Sequence, residues 1–378
     1  MIAKKRILHI FERAIITQST IELFEKLDYE QYYIILDSNI EQWSEMKARV
    51  KNIRLIAPQR KDVVDILKQE ISKSDIIIAQ ALSVEKAKAI YQNKDKKKVF
   101  IWALWGYELY NYVSFLRKND SIDFKTTSSK QSLVTKLKEH YIFKVIYSRA
   151  VKKIDICLFL LKEDFDILKE VNNTKAIWRS TCYQTIDNLL AGDEAFKVQG
   201  DSILIGNSST PSNRHEVILD QLKTIPHLHR KMIIPLNYGD DSYRKTILSK
   251  GKKIFGEQIE GLVDFMPLED YTTKIKSCSH VIMGHIRQQA FGTIMMMLYG
   301  GAKLYLSELS PLYTWLKELK LFIYSIEHEL TTELSIDLTE EQKESNRSII
   351  KDYLSESSIL RQIDSVLEEA IEISEQKK

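Results

Sequence analysis

The segment Gly284–Thr293 carries residue types that suit the binding of a phosphate group. It reads Gly-His-Ile-Arg-Gln-Gln-Ala-Phe-Gly-Thr and lies between the apolar runs 281–283 and 294–298. This pattern predicts a strand, a polar loop and a buried helix, and the start of a helix offers N–H groups and a positive dipole end to an anion. Arg287 adds a planar charged group that matches phosphate oxygens, and Gly292 allows close backbone approach. Phosphate binding and simple capping of a buried helix are both open at this point.

A second polar loop follows the predicted strand Ile203–Ile205 and runs from Gly206 to Glu216. Its small hydroxyl-bearing residues could cradle a diphosphate with backbone N–H and side-chain O–H groups. Asn213 also stands three residues before Glu216, which is the spacing of a helix capping box, so capping accounts for much of the loop without a ligand. Both interpretations stay open for the candidates Asn207, Ser208 and Asn213. His215 follows at the predicted helix start, where the alternative to ligand binding is an exposed helix residue.

Further candidates lie at other predicted strand ends and helix starts. Tyr238 stands in the polar loop after the predicted strand Lys231–Leu236, close to the adjacent carboxylates Asp240 and Asp241. Two carboxylates without a third ligand favour a turn or a helix N-cap over a metal site. Glu269 stands at a predicted helix start, where a carboxylate can bind ribose hydroxyls or simply complement the helix dipole.

The first half of the chain has one comparable segment, Ile101–Tyr110, in which a predicted strand runs into a helix. Trp105 and Tyr107 place aromatic surfaces near the strand end, where sugars can stack, although aromatic residues equally serve as ordinary packing residues. Glu108 could act as a general base here, and the alternative is a surface carboxylate in the first helical turn.

The patterns of several common enzyme and metal-binding classes are absent from the sequence. It contains no nucleophile elbow, Walker loop, HExxH or paired-cysteine zinc pattern, so no metal or other cofactor is expected. Cys157, Cys182 and Cys278 are odd in number and widely spaced, which favours a reducing cytoplasm over a disulfide framework. No apolar run reaches about 18 residues, so no transmembrane helix is expected.

The charge of the chain is unevenly distributed, although the formal net charge is only +3. Residues 114–153 contain ten basic and three acidic residues, whereas residues 304–378 contain eight basic and sixteen acidic residues. No nucleic-acid-binding module accompanies the basic stretch, so no nucleic-acid partner is expected. Clustered lysine and arginine on a helix favour anionic lipid headgroups instead. We therefore predict peripheral attachment to a membrane surface.

The elements that must position these residues alternate between strands and helices along most of the chain. The candidate strands are Arg6–Phe11, Tyr32–Leu36, Arg54–Ala57, Asp75–Ala79, Val99–Ala103, Asp155–Leu160, Ile203–Ile205, Lys231–Leu236, His280–Met283 and Lys303–Leu306. Such alternation predicts parallel sheets with crossover helices. The length of 378 residues suits two domains. We expect an N-terminal domain over 1–185, a linker over 186–200, a C-terminal domain over 201–340 and a helical tail over 341–378, with a single large α/β domain as the alternative.

Taken in order, several segments of the chain resemble those of a known family. The matching pieces are the opening strand with His9, Trp105–Tyr110, Gly206-Asn207-Ser208 with Ser212-Asn213, and Arg287-Gln288-Gln289 with Gly292-Thr293. With them the chain resembles the bacterial 4-acetamido-4,6-dideoxygalactose (Fuc4NAc) transferases of glycosyltransferase family 56, which act on lipid II of enterobacterial common antigen. Glu108 and Ser209 depart from the aspartate and glycine that are usual in that family.

The resemblance implies an α/β, GT-B-like fold with two Rossmann-like doubly wound domains facing across a cleft. It also implies a dTDP-sugar donor at the C-terminal domain and a polyprenyl-diphosphate-linked glycan acceptor at the N-terminal domain, on the inner face of the cell membrane. We predict catalytic roles for Glu108 and Arg287 and acceptor binding by His9, Trp105 and Tyr107. The predicted donor-binding residues are Asn207, Ser208, Asn213, His215, Tyr238, Glu269, Arg287, Gln288, Gln289, Gly292 and Thr293.

The expected reaction is transfer of a deoxy-acetamido sugar during surface polysaccharide synthesis. One alternative is a GT-B-fold enzyme that processes a free nucleotide sugar, such as an epimerase, and the basic surface argues against it. The other is a non-catalytic GT-B partner subunit, and the presence of Arg287 and the Gly206 loop argues against that.

Overall fold

The computed structural model describes residues 5–14, 16–117, 133–193 and 195–377. These residues form two compact units, of which the first comprises residues 5–117, 133–185 and 356–377, and the second comprises residues 186–355. Each unit is built around one parallel β-sheet with helices between the strands, as the alternating sequence pattern predicts.

Seven strands form the sheet of the first unit: β1 (Arg6–Glu12), β2 (Glu30–Leu36), β3 (Ile53–Ile56), β4 (Ile76–Gln80), β5 (Val99–Ala103), β6 (Ile156–Leu158) and β7 (Ile177–Arg179). Their order across the sheet is β3-β2-β1-β4-β5-β6-β7, and all neighbours are parallel. The strand order therefore reverses between β1 and β4. The helices are α1 (Thr17–Phe24), α2 (Ser44–Arg49), α3 (Val63–Lys73), α4 (Val84–Gln92), α5 (Tyr107–Arg117), α6 (Leu133–Tyr141), α7 (Ser148–Val151) and α8 (Lys162–Asn172), with a π turn over Ile142–Tyr147 between α6 and α7.

Six strands form the sheet of the second unit: β8 (Ser202–Ile205), β9 (Met232–Pro235), β10 (Ile259–Leu262), β11 (Cys278–Met283), β12 (Lys303–Leu306) and β13 (Tyr324–Ser325). Their order is β10-β9-β8-β11-β12-β13, again with parallel neighbours, so the order reverses between β8 and β11. The helices are α9 (Ile186–Leu189), α10 (His215–Leu222), α11 (Asp241–Phe255), α12 (Leu268–Lys276), α13 (Phe291–Tyr299), α14 (Pro311–Glu318), α15 (Ile326–Glu329) and α16 (Glu340–Tyr353).

Central strands of both sheets are mostly apolar, with the polar residues Gln80, Ser202 and Lys303 confined to strand ends. Every residue of β4, β5, β8 and β12 is buried, which is expected where helices cover both faces of a parallel sheet. The covering helices show the complementary pattern. In α3, for example, Val63, Ile66, Leu67 and Ile71 are buried at spacings of one helical face.

The structure confirms the predicted strands and adds three that the sequence did not reveal. These are β7, β10 and β13, each of which lies at the edge of its sheet. Edge strands are short and need less apolar character because one side or face meets water. Accordingly β7 is at best half-buried, β10 contains Glu260 and Gly261, and β13 has only two residues.

The two segments predicted as a linker and a tail are packed against the units. Residues 186–200 begin with α9 and bury Leu190 and Phe196 in the second unit. The tail is divided: α16 belongs to the second unit, whereas α17 (Glu356–Gln376) belongs to the first. There, Asp364 accepts a hydrogen bond of 2.7 Å from the Tyr29 hydroxyl.

Candidate active site

The two polar loops singled out in the sequence meet at one edge of the second sheet. One follows β8 and the other follows β11, the neighbouring strands between which the strand order reverses. In open α/β sheets this position, at the carboxyl ends of the strands, is where ligands bind. Side chains join the loops directly: the Ser212 hydroxyl donates to Gln289 Oε1 at 2.8 Å, and Gln289 Nε2 donates to Asn207 Oδ1 at 2.7 Å.

Arg287 is fixed at the junction of these loops. Its Nε donates to Gln289 Oε1 at 3.0 Å and its Nη2 donates to the Ser212 hydroxyl at 3.2 Å, while the residue is only 8 % exposed. Both of these bonds go to neutral groups and fix the guanidinium in place. A positive charge whose position is already fixed suits an anionic ligand. Ser212, which holds it, was missing from the predicted site residues.

Asn213 organises the first loop from within. Its side chain is fully buried; Oδ1 accepts a bond of 3.1 Å from the backbone N–H of Asn207, and Nδ2 donates to the Ser208 carbonyl at 2.9 Å. The capping-box interpretation of Asn213 and Glu216 is wrong, because α10 begins after Arg214, which makes no side-chain capping bond. The amide of Asn213 is directed back into the loop instead.

His215 lies beneath the loop, where it is completely buried. Its Nδ1 is 3.2 Å from the Tyr243 hydroxyl, and burial lowers its pKa to about 4, so the ring is neutral near pH 7. Gly206, with a φ of +66°, passes so close that a Cβ there would lie 2.3 Å from His215 Nε2. His215 therefore shapes the loop and has no surface with which to contact a ligand.

The remaining predicted donor residues differ in their exposure and in whether they bond to this network. Tyr238 is 55 % exposed, and its hydroxyl accepts a bond of 3.0 Å from Asn207 Nδ2. Gln288 is partly exposed beside Arg287, and Gly292 and Thr293 are partly exposed in the first turn of α13. Glu269 is exposed in the first turn of α12, and within the described residues no hydrogen bond links it to the Arg287 network.

A pocket of about 490 Å³ lies at the equivalent edge of the first sheet, where the strand order reverses between β1 and β4. Its walls combine charged, aromatic and apolar side chains. They belong to Glu12, Arg13, Leu36, Pro58, Leu82, Ser83, Val84, Glu85, Tyr107, Glu108, Asn111, Phe143 and Tyr147.

Two residues of the predicted segment after β5, Tyr107 and Glu108, line this pocket, and they differ in exposure. Tyr107 is 42 % exposed, and its hydroxyl donates to Glu12 Oε2 at 2.9 Å. Glu108 is only 4 % exposed, and its Oε1 accepts bonds from the Trp105 backbone N–H at 2.9 Å and from Trp102 Nε1 at 3.2 Å. Burial raises the pKa of the Glu108 carboxyl above its usual range.

His9 does not reach this pocket. It lies in the middle of β1 and is completely buried, with its ring centroid 4.3 Å from that of Phe24 and 5.0 Å from that of Tyr33. Its Nε2 is 3.0 Å from Gln31 Oε1, and burial lowers its pKa to about 3. The position identifies His9 as a packing residue of the sheet, so we leave it out of the acceptor site proposed below.

The adjacent residues Asp240 and Asp241 form the N-terminus of α11. Asp240 Oδ1 accepts a hydrogen bond from the backbone N–H of Tyr243 at 2.7 Å, which makes Asp240 the N-cap of α11.

In the part of the chain that the structure describes, no group of three or more His, Cys, Asp or Glu side chains is placed to hold a metal ion. No helix of that part is long and apolar enough to cross a membrane.

Comparison with known families decides the class of this site. The family model described as 4-alpha-L-fucosyltransferase, glycosyl transferase group 56, matches residues 134–360, which is more than half of the chain. The chain belongs to this family. As a group 56 glycosyltransferase it transfers a sugar from a nucleotide-sugar donor, and the matched range includes both loops of the Arg287 network.

Solved structures with the same fold support the two-unit GT-B architecture of this group 56 protein. A glycosyltransferase from Rickettsia africae has 13 % identity and a TM-score of 0.59, with 98 % of this chain and 99 % of that chain covered. Anabaena HepE in complex with UDP and glucose has 11 % identity and a TM-score of 0.66, with 97 % and 100 % covered. Sucrose-phosphate synthase from Thermosynechococcus elongatus has 10 % identity and a TM-score of 0.64, with 97 % and 99 % covered.

Proposed function

We propose that this glycosyltransferase moves a deoxy-acetamido sugar, similar to Fuc4NAc, from a dTDP donor to a polyprenyl-diphosphate-linked oligosaccharide in surface polysaccharide synthesis. The observation that carries the donor half of the proposal is Arg287, which is held by Ser212 and Gln289 at the carboxyl ends of β8 and β11. The choice of dTDP and of the sugar rests on the sequence resemblance to the Fuc4NAc transferases.

The chemistry of transfer requires charge stabilisation on the departing diphosphate. As the bond from the anomeric carbon to the diphosphate oxygen breaks, negative charge grows on that oxygen. A guanidinium whose position is already fixed stabilises this charge without reorganising at the moment of reaction. The backbone N–H groups at the start of α13, which follows Ala290 at a φ of +57°, add a positive dipole end to the same role.

The acceptor is proposed to bind at the pocket of the first unit. Tyr107 offers an exposed ring on which a sugar can stack. The Arg13 side chain, 60 % exposed, supplies positive charge for a diphosphate. Trp105, whose backbone N–H is bonded to Glu108, supports this wall.

A thermal-shift comparison of nucleotides tests the donor assignment. We expect dTDP to raise the melting temperature more than UDP, GDP or ADP at equal concentration, because a ligand at about 100 times its Kd stabilises the native state by about 2.7 kcal/mol. The dTDP-linked sugar should then be consumed only when a polyprenyl-diphosphate-linked acceptor is present. A larger shift with UDP or GDP would contradict the dTDP assignment, and sugar conversion without acceptor would favour the epimerase-like alternative.

Attachment to the inner face of the cell membrane is the second part of the proposal. Of the basic stretch, Lys118, Lys125 and Lys130 lie outside the described residues, as does the side chain of Lys136. Arg117 pairs with Glu170, and Lys153 donates to carbonyls at the end of α4, including that of Tyr91 at 2.8 Å. The described basic side chains left to face lipid are exposed, and they are Lys138, Lys144, Arg149 and Lys152.

Vesicle co-sedimentation tests the membrane proposal. The protein should pellet with anionic vesicles at low salt, because each basic residue near an anionic leaflet contributes about 1 kcal/mol. High salt should release it, since the Debye length falls to about 3 Å at 1 M. The double variant Lys138→Glu, Lys144→Glu should pellet far less. Lys252→Glu, Lys253→Glu is the matched control, because it makes the same charge change on exposed residues of α11. Equal pelleting with neutral vesicles would rule out charge as the cause.

A further inference from the structure

We infer that Glu12 is the residue that accepts the proton of the acceptor hydroxyl, and that Lys86 and Tyr107 hold its carboxylate in place. The inference rests on the proposed function only in that the pocket of the first unit receives the acceptor. Neither Glu12 nor Lys86 was among the residues that the sequence pattern singled out.

The position of Glu12 follows from the topology of the first sheet. It is the last residue of β1, the strand beside which the strand order reverses, so its side chain leaves the carboxyl end of the sheet where ligands bind. The carboxylate lines the pocket and keeps 28 % of its side-chain surface exposed. A general base must come within hydrogen-bond reach of the proton that it removes, and Glu12 meets this requirement for a ligand in the pocket.

Two neighbours orient this carboxylate. The Tyr107 hydroxyl donates to Oε2 at 2.9 Å, and the Lys86 ammonium lies 3.5 Å from Oε1. Lys86 is itself completely buried and donates to the carbonyls of Gln80 at 2.5 Å and Ala81 at 2.8 Å. A carboxylate offers about four lone-pair positions, so these two contacts leave room for an acceptor hydroxyl.

The buried ammonium also compensates for the acidic character of the pocket. Burial lowers the pKa of Lys86 to about 8, and the charges of Glu12 and Glu108 oppose that shift. A cation between the Glu12 and Glu108 carboxyl groups reduces their mutual repulsion.

Glu108, the base predicted from the sequence, is placed less favourably than Glu12. Its Oε1 is bonded to the start of its own helix and to the Trp102 indole. Its Oε2 is buried from solvent and has no hydrogen-bond partner among the described residues. Glu108 lines the same pocket, but it is only 4 % exposed, so it offers an acceptor hydroxyl less access than Glu12, whose side chain is 28 % exposed. The geometry therefore assigns proton transfer to Glu12 and a positioning role to Glu108.

The proposed step balances in atoms and charge. The acceptor oxygen forms a bond to the anomeric carbon of the donor sugar while its proton moves to a carboxylate oxygen of Glu12. The bond from the anomeric carbon to the diphosphate breaks, and the nucleoside diphosphate leaves with the electron pair. Glu12 then returns its proton to solvent through the open side of the pocket.

The test measures kcat and the KM for acceptor in the variants Glu12→Gln and Glu108→Gln. The rise in melting temperature on addition of the donor nucleotide shows whether each variant is folded and whether its second unit still binds nucleotide. We expect Glu12→Gln to lose about 10²–10⁴-fold in kcat, the usual contribution of a general base, with the nucleotide shift unchanged. Glu108→Gln should lose less than about tenfold. Glu163→Gln is the matched control, because Glu163 is an exposed carboxylate in the first turn of α8, in the same unit, and does not line the pocket.

Two further variants separate chemistry from structure. Tyr107→Phe keeps the stacking ring but removes the hydrogen bond to Glu12, so kcat should fall while the KM for acceptor stays near that of the wild type. Glu12→Ala should regain part of its activity when formate is added, because a small carboxylate can occupy the vacated space and take the proton. A residue with a purely structural role would show no such rescue.

The inference is overturned if Glu12→Gln keeps more than a tenth of the wild-type kcat, or if Glu108→Gln loses more than Glu12→Gln does. Failure of the proposed function looks different. A wild-type enzyme that uses another nucleotide sugar or another acceptor would change the substrate assignment, but Glu12→Gln would still have to abolish the transfer that is observed.

Discussion

Replacement of Arg287 by alanine is expected to reduce turnover by about two or more orders of magnitude, with loss of most of the nucleotide-dependent thermal shift. Removal of a preorganised donor that stabilises charge in the transition state lowers turnover on this scale. Arg287 has this character because Ser212 and Gln289 fix its guanidinium before any ligand arrives. Steady-state kinetics with the nucleotide sugar, together with melting curves with and without nucleotide, measure both effects.

Two companion variants make the Arg287 result specific. Arg287→Lys should recover little activity, because a point charge cannot replace a planar group that binds two oxygens and keeps its bond to Gln289. Arg347→Ala is the matched control: it removes a partly buried arginine of the same unit, whose Nε donates to the Tyr299 carbonyl at 3.2 Å, far along the chain from the two loops. Wild-type turnover in Arg287→Ala would show that the donor site has been placed wrongly.

Replacement of Gly206 by alanine is expected to destabilise the second unit by about 2–5 kcal/mol and to abolish nucleotide binding. One cause is the backbone, since a φ of +66° is unfavourable for a residue with a side chain. The other is steric, because the new Cβ would lie 2.3 Å from the ring of His215, which is completely buried and cannot move aside. Urea denaturation and nucleotide titration give the two readouts.

Gly192→Ala separates the two causes at Gly206. Gly192 lies in the same unit at a φ of +81°, but a Cβ there has no atom within 4 Å, so only the backbone cost of about 1–2 kcal/mol applies. We expect Gly192→Ala to bind nucleotide normally. A double-mutant cycle of Gly206→Ala with His215→Ala should show favourable coupling. If Gly192→Ala and Gly206→Ala lose equal stability, the contact with His215 is not what requires glycine in the loop.

The central part of the fold was predictable because its signal is local. Strands such as Ile76–Gln80 and Val99–Ala103 are buried on both faces, so apart from Gln80 their residues form continuous apolar runs in the sequence. The edge strand Ile259–Leu262 leaves no such record, since an edge meets water and tolerates Glu260 and Gly261. The sequence therefore indicated two parallel sheets but not their full width.

The candidate site was likewise predictable from the sequence only in part. The sequence by itself determined which polar loops carry the donor-binding residue types. Each loop and the apolar runs beside it are contiguous segments, so they can be recognised without knowledge of the fold. Only the tertiary structure decided that Arg287 is held by Ser212, a residue of the other loop, and that His215 and His9 are buried supports. It also decided that Glu12 and Glu108 both line the pocket of the first unit and that Glu108 is almost completely buried there. Exposure and pairing depend on which strands are neighbours, and strand order is a property of the folded sheet that no local run of residues records.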